Sequence, residues 1–176
     1  MKGQYHAGLA MLRETIEKCP EDLWVGGTHP RNTWRIAYHV IFYTHLYLQV
    51  NEAAFVPWSK NSTTCRVLWD DEGEKAPVET PFSKAELLEY VDLVDAGVDA
   101  WVDLIDLESL DPGFSWYSIP KLDHQILNIR HLQGHVGQLS ELVLRPALTY
   151  VGSQRGEKMS GTGFESVLDS GVPKPP

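Results

Sequence analysis

Four stretches of the chain repeat apolar residues at helical intervals, and none shows the alternation of a half-buried strand. Leu9, Leu12 and Ile16 recur every three or four residues in a first helix over 4–18. Cys19-Pro20 ends it, because a residue before proline disfavours helical backbone. Gly26-Gly27 and His29-Pro30 mark a loop, after which Asn32 or Thr33 can cap a second helix over about 33–54. That helix carries Trp34, Ile36, Ala37, Val40, Ile41, Phe42, Leu46 and Leu48.

Residues 55–82 form a long connection holding Pro57, Pro77 and Pro81, and loops of that length in a compact domain are often functional or covering. Trp58 and Trp69 are its candidate anchors, and Asp70-Asp71-Glu72 reads as a solvated turn. Ser83-Lys84-Ala85-Glu86 is a capping box that opens a third helix through Leu87, Leu88, Val91, Val94, Val98, Trp101 and Ile105. Asp111-Pro112-Gly113 breaks the chain, and Phe114 to Tyr117 can press aromatic rings over one end of the helices. The fourth helix begins near Ser118 to Lys121, shows Ile126, Ile129, Leu132, Val136, Leu139 and Val143 on one flank, and ends at Pro146. The pattern predicts an all-α, four-helix bundle over residues 1–150 and an extended Gly/Pro-rich tail over 151–176, too poor in apolar surface for a core of its own.

Length and composition leave that picture intact. A chain of 176 residues, 43% apolar and 22% charged, is one soluble globular domain of ordinary make-up. A net charge of −9 opposes attraction to nucleic acid or anionic membranes, so neither is an expected partner. Only Cys19 and Cys65 are present, which excludes a disulfide framework or a paired-cysteine metal knuckle. No run is apolar enough to span a membrane and no signal-peptide pattern opens the chain, so a cytoplasmic location is expected. Six tryptophans and seven tyrosines suit an aromatic core or an aromatic-lined cavity.

The chemistry lies in the histidines. His131 and His135 are four apart on the fourth helix, one turn from each other on the same face, which is a spacing that lets two imidazoles share a metal ion. Leu132 and Gln133 stand where a zinc protease carries its glutamate, so that chemistry is excluded. His124 and Gln138 extend the same stripe. On the second helix His39 and His45 are six apart and point to different faces. His39 sits within the strongest apolar pattern and is taken as inward, His45 as surface or interface. If the second and fourth helices face each other, His39 approaches His131 and His135, giving three neutral imidazoles and an open position. Gln138, Asn128, Tyr43 and backbone carbonyls are candidate acceptors for the outer ring nitrogens. His124 is a candidate acid or base at the cavity rim, with a surface histidine as the alternative.

Three segments, AYHVIFYTHLYL, PFSKAELLEYVD and LNIRHLQGHVGQL, together resemble the DinB/YfiT-like family of metal-dependent enzymes, over most of residues 1–146. That family pattern has one metal histidine on the second helix and a pair four apart on the fourth, places held here by His39, His131 and His135. The resemblance implies a four-helix bundle, a homodimer, and zinc or nickel at the three-histidine site. It implies a small-molecule substrate and, in some relatives, transfer or isomerisation dependent on a low-molecular-weight thiol. A hydrolase using metal-bound water and a noncatalytic metal- or ligand-binding bundle remain the other readings.

Overall fold

The computed structural model describes residues 1–70 and 75–154, with side chains for 1–70 and 75–143. Every regular element among them is helical: α1 (Lys2–Lys18), α2 (Glu21–Trp24), α3 (Thr33–Tyr47), α4 (Lys84–Leu104) and α5 (Lys121–Gln154), with a single tight turn at Glu52–Ala54. Met1–Val143 form one compact unit. Ser83 opens α4 with the reciprocal capping box read from the sequence. Asn32 occupies the position before α3, but its amide donates to the carbonyls of Gly26 and Gly27 and ties the loop instead of capping the helix.

α3 is the element the others surround. Of its fifteen residues only Tyr43 is not buried, the state expected of a helix that is apolar nearly all round. This corrects the placement of His45 on the surface or at an interface. His45 is 3% exposed, stacks on Trp101 with ring centres 4.8 Å apart, meets Phe55 edge-on and places Nδ1 3.2 Å from the Tyr90 hydroxyl. The two histidines do point to different faces, but both faces are inside: His39 looks to α5 and His45 to α4. His45 therefore offers no contact surface to a second copy of the chain.

A buried helix must find partners for its polar groups within the protein. Arg35 is fully buried and donates to three backbone carbonyls of the long connection: Nε to Val67 (2.9 Å), Nη1 to Pro77 (2.8 Å) and Nη2 to Thr64 (2.7 Å). The Tyr38 hydroxyl bonds to Asn61 Oδ1 and Ser62 O and accepts from Ser62 N. The His29 ring donates to Ala76 O. Residues 61–67 and 76–77 are thereby tied to α3 and to the loop before it. Of the two expected anchors, Trp58 is buried and stacks on Tyr90 at 4.5 Å, whereas Trp69 is 54% exposed. Asp70 accepts from Ala76 N; Asp71 and Glu72 of the acidic run lie outside the described residues.

α3, expected from the sequence to run to about residue 54, stops at Tyr47. Its final carbonyls are taken by side chains: Asn128 donates to Thr44 O, Gln125 to Tyr47 O and Gln49 to His45 O. Lys121, itself buried, reaches Gln49 O, Val50 O and Pro112 O, a cation at a helix C-terminus. Asn51 then caps the turn at Glu52–Ala54. Gly113 closes onto Val50 and Asn51 with φ +81°, where a Cβ would strike the Val50 carbonyl.

Serving α3 in this way turns the first two turns of α5 polar side inward. Ile126, expected on the buried flank, is 52% exposed, while His124, Gln125 and Asn128 are at 0%. Further along, Leu132, Val136 and Leu139 are buried as the periodicity predicts. α1 lies close against α5 at Gly8, where a Cβ would meet the Leu132 side chain, and the Tyr5 hydroxyl donates to Gln125 Oε1. On the surface, Lys2, His6 and Arg13 of α1 pair with Asp103, Asp95 and Asp92 of α4. The helical backbone of α5 continues through Pro146 to Gln154; proline removes one bond from a helix, and here the turns on either side persist. The extended tail expected over 151–176 therefore starts within this helix, residues 151–154 being helical, and its remainder lies outside the described residues. No described helix is long and apolar enough to cross a membrane.

His124 is enclosed by the rings of Tyr47 (4.8 Å), Phe114 (4.9 Å) and Tyr117 (5.0 Å), and neither of its nitrogens has a partner. Phe114 and Tyr117 thus do cover one end of the helices. Burial, with the Lys121 charge adding, pushes the His124 pKa down to about 4, and burial does the same at His45.

Two expectations follow from this packing. Arg35→Met leaves three carbonyls without their donor and should lower the unfolding free energy by about 3 kcal/mol or more, read from urea denaturation. For the histidines, a folded pKa below the unfolded one means that the unfolded chain takes up protons first as pH falls. Stability is then lost between pH 6.5 and about 4, by up to about 1.4 kcal/mol per pH unit for each ring. His124→Phe, which replaces two unpartnered nitrogens with carbon, should match or exceed wild-type stability at pH 7 and lose less on acidification to pH 5. An acid slope identical to wild type would show that His124 does not contribute.

Candidate metal centre

Three imidazoles converge where α3 faces α5. His39 comes from the middle of α3, and His131 and His135 from successive turns of α5, and one ring nitrogen from each lies within 4.8 Å of the other two. His39 Nε2 and His131 Nε2 are 3.1 Å apart, and the ring centres of the set are separated by 4.6 to 5.1 Å. These are the residues that spacing and the helix-facing argument single out from the sequence.

The outer nitrogens determine what the inner ones can do. His39 Nδ1 lies 2.5 Å from the Arg66 carbonyl, which only accepts, so Nδ1 carries the proton and Nε2 presents a lone pair. His135 Nδ1 is held in the same way by Gln138 Oε1 at 3.0 Å. Of the acceptors expected from sequence, Gln138 and a backbone carbonyl serve. Asn128 instead gives its amide nitrogen to Thr44 O, and Tyr43 packs its ring on His39 at 4.8 Å and on His131 at 5.8 Å. His131 Nδ1 is buried without a partner.

The donor set fits a divalent cation. With nothing holding a proton on His131 Nδ1, its Nε2 either donates to the His39 lone pair across 3.1 Å or, with a cation between them, presents a lone pair of its own. Bonds of about 2.0–2.1 Å to one ion put adjacent ligand atoms roughly 3 Å apart or slightly more, the separation seen for His39 and His131. The rings are also kept in the neutral, ligating form. Burial lowers His39 to about 3, with His131, His135 and Arg31 adding repulsion, and burial lowers His131 to about 4, with His135 adding to it. His135 is lowered by burial and by Arg31, against the pull of Gln138. No fourth His, Cys, Asp or Glu joins the group among the described residues.

The three rings open onto a cavity of about 400 Å³. It is lined by Tyr43, Tyr47, Tyr117, Leu127 and Arg31, and by Leu68 and Trp69 of the long connection. Trp69 stands edge-on to His39 with ring centres 6.4 Å apart. His124 does not line the cavity. Its ring packs on Tyr47 and Tyr117, which do line the cavity, and at 0% exposure it is not the surface histidine of the alternative reading.

Two participants had no visible signal in the sequence. Arg31 follows a His-Pro pair in a loop with no periodicity to place it, and the Arg66 contribution is a main-chain oxygen, indifferent to residue type. Comparison of the chain with models of known families, with characterised proteins and with solved structures finds no match, so the three-histidine cluster itself is the ground on which function is argued.

Proposed function

We propose that the chain is a metal-dependent enzyme of the DinB/YfiT-like kind, a four-helix bundle whose His39, His131 and His135 hold zinc or nickel and whose cavity takes a small-molecule substrate. The observation that carries this reading is the convergence of three neutral imidazoles, two with their outer nitrogens fixed, on the wall of a cavity. Bound there, a divalent ion would supply a Lewis acid that lowers the pKa of a coordinated thiol or water. The protein's part is orientation and exclusion. Arg66 O and Gln138 hold the ligand rings in one tautomer, and Tyr43, Leu68 and Leu127 keep bulk water from one side of the site.

Between the two chemistries, thiol transfer is better supported than hydrolysis. None of the described cavity-lining residues is a carboxylate, so a hydrolytic cycle would lack a side-chain base, whereas a thiol brings its own nucleophile. The same absence is what favours the alternative of a noncatalytic metal- or ligand-binding bundle; product formation from a thiol and an electrophile separates the two.

His39→Ala and His135→Ala should each lose bound metal on dialysis against a weak chelator, and Gln138→Ala should weaken retention about 10- to 100-fold. His6→Gln, on the α1 surface, should retain it. Equal metal content in all four would dispose of the site. In a cobalt-substituted sample, a small thiol should shift the visible spectrum; an unaltered spectrum at saturating thiol would remove the thiol role.

A further inference from the structure

The charge of the cavity runs against the charge of the chain. The protein carries 24 acidic and 15 basic residues, yet no Asp or Glu is among the described residues that line the cavity, while Arg31 is. Lys2, Arg13, Lys18, Lys60 and Lys84 each pair with a carboxylate, and the buried Arg35 is satisfied by three carbonyls. The Arg31 guanidinium is exposed and has no ion pair among the described residues. Its charge is nonetheless felt by the metal-site rings, since it opposes protonation of His39 and His135. A guanidinium on a cavity wall with no ion pair among the described residues is a fork-shaped donor whose natural complement is a carboxylate.

We propose that the ligand of this cavity is a small organic carboxylate: Arg31 takes the carboxylate, the apolar body rests on Trp69 and Leu127, and the opposite end reaches the three imidazoles. The placement of that opposite end rests on the metal reading above; the carboxylate contact does not. A cavity of about 400 Å³ suits a compact ligand of this kind. With neutral imidazoles and no facing carboxylate, every fixed charge that the ligand meets in the described wall is positive, so an anion is drawn in and a cation is turned away.

The test compares 3-mercaptopropionate with its methyl ester, two thiols that differ in the carboxylate alone. Each is titrated into wild-type and Arg31→Gln protein by calorimetry, with the zinc content of each sample measured before and after. In zinc-loaded wild type the acid should bind about tenfold more tightly than the ester, the worth of one charge-assisted contact, and Arg31→Gln should erase the difference at unchanged zinc content. Equal binding of acid and ester by wild type, or a preference that survives in Arg31→Gln, overturns the proposal. The same titrations on chelator-treated protein, followed by amide chemical shifts, keep the two readings apart. If wild type holds no zinc, the metal assignment fails, and an acid preference abolished by Arg31→Gln still supports the anion site. No preference in that sample overturns it.

Discussion

A helix enclosed on every side has no solvent on which to discharge its polar groups, and α3 is such a helix. Arg35, Tyr38 and His39 lie within little more than one turn of it, and each needs a hydrogen-bonding partner that another helix, with its backbone already internally bonded, cannot readily supply. The irregular stretch 61–67 supplies them, because a chain without regular structure has free carbonyls to give. The long connection is therefore an internal solvent for the central helix. At the other end, the last carbonyls of α3 are met by amide and ammonium groups of α5, which is why that helix turns His124, Gln125 and Asn128 inward and leaves Ile126 outside.

The three-histidine cluster grows out of the same demand. His39 is satisfied on one nitrogen by Arg66 O, and its other nitrogen is left facing His131 across the helix interface. Interior packing that excludes water also holds the rings neutral, so burial, which penalises most polar groups, here prepares ligands. Tyr43 is the one residue of α3 that is not buried, and it marks where the helix reaches the cavity.

What the sequence reveals depends on whether a feature repeats. The positions of α1, α4 and α5 follow from apolar spacing and the Ser83 capping box, and the His131–His135 pair follows from the helical turn. His39 is inward, as its apolar neighbours imply. His45 escapes the same logic because opposite faces of a helix mean in and out only when one of them is solvated, and here both are buried. The end of α3 is not legible because the apolar pattern continues past Tyr47, whereas the last carbonyls are met by Lys121, seventy-odd residues further along the chain, and Asn51 caps the next turn. Pro146 suggests a stop on propensity alone, and the helical backbone passes it. Arg31 and the Arg66 carbonyl belong to loops, where position is set by tertiary contacts that no local pattern encodes.

The bond from His39 to the Arg66 carbonyl joins a ligand to a segment that has no regular structure of its own. If the proposed metal reading holds, order in that segment and occupancy of the site would be a thermodynamically linked pair. An ion that requires His39 in one tautomer would favour the conformers in which Arg66 O is in place, and so stiffen residues 61–69 from within. By reciprocity, whatever lifts the segment by gripping the exposed Trp69 would weaken the hold on the ion by the same factor. Amide exchange along that stretch would then report site occupancy at a distance from the imidazoles, and the connection would double as a release catch.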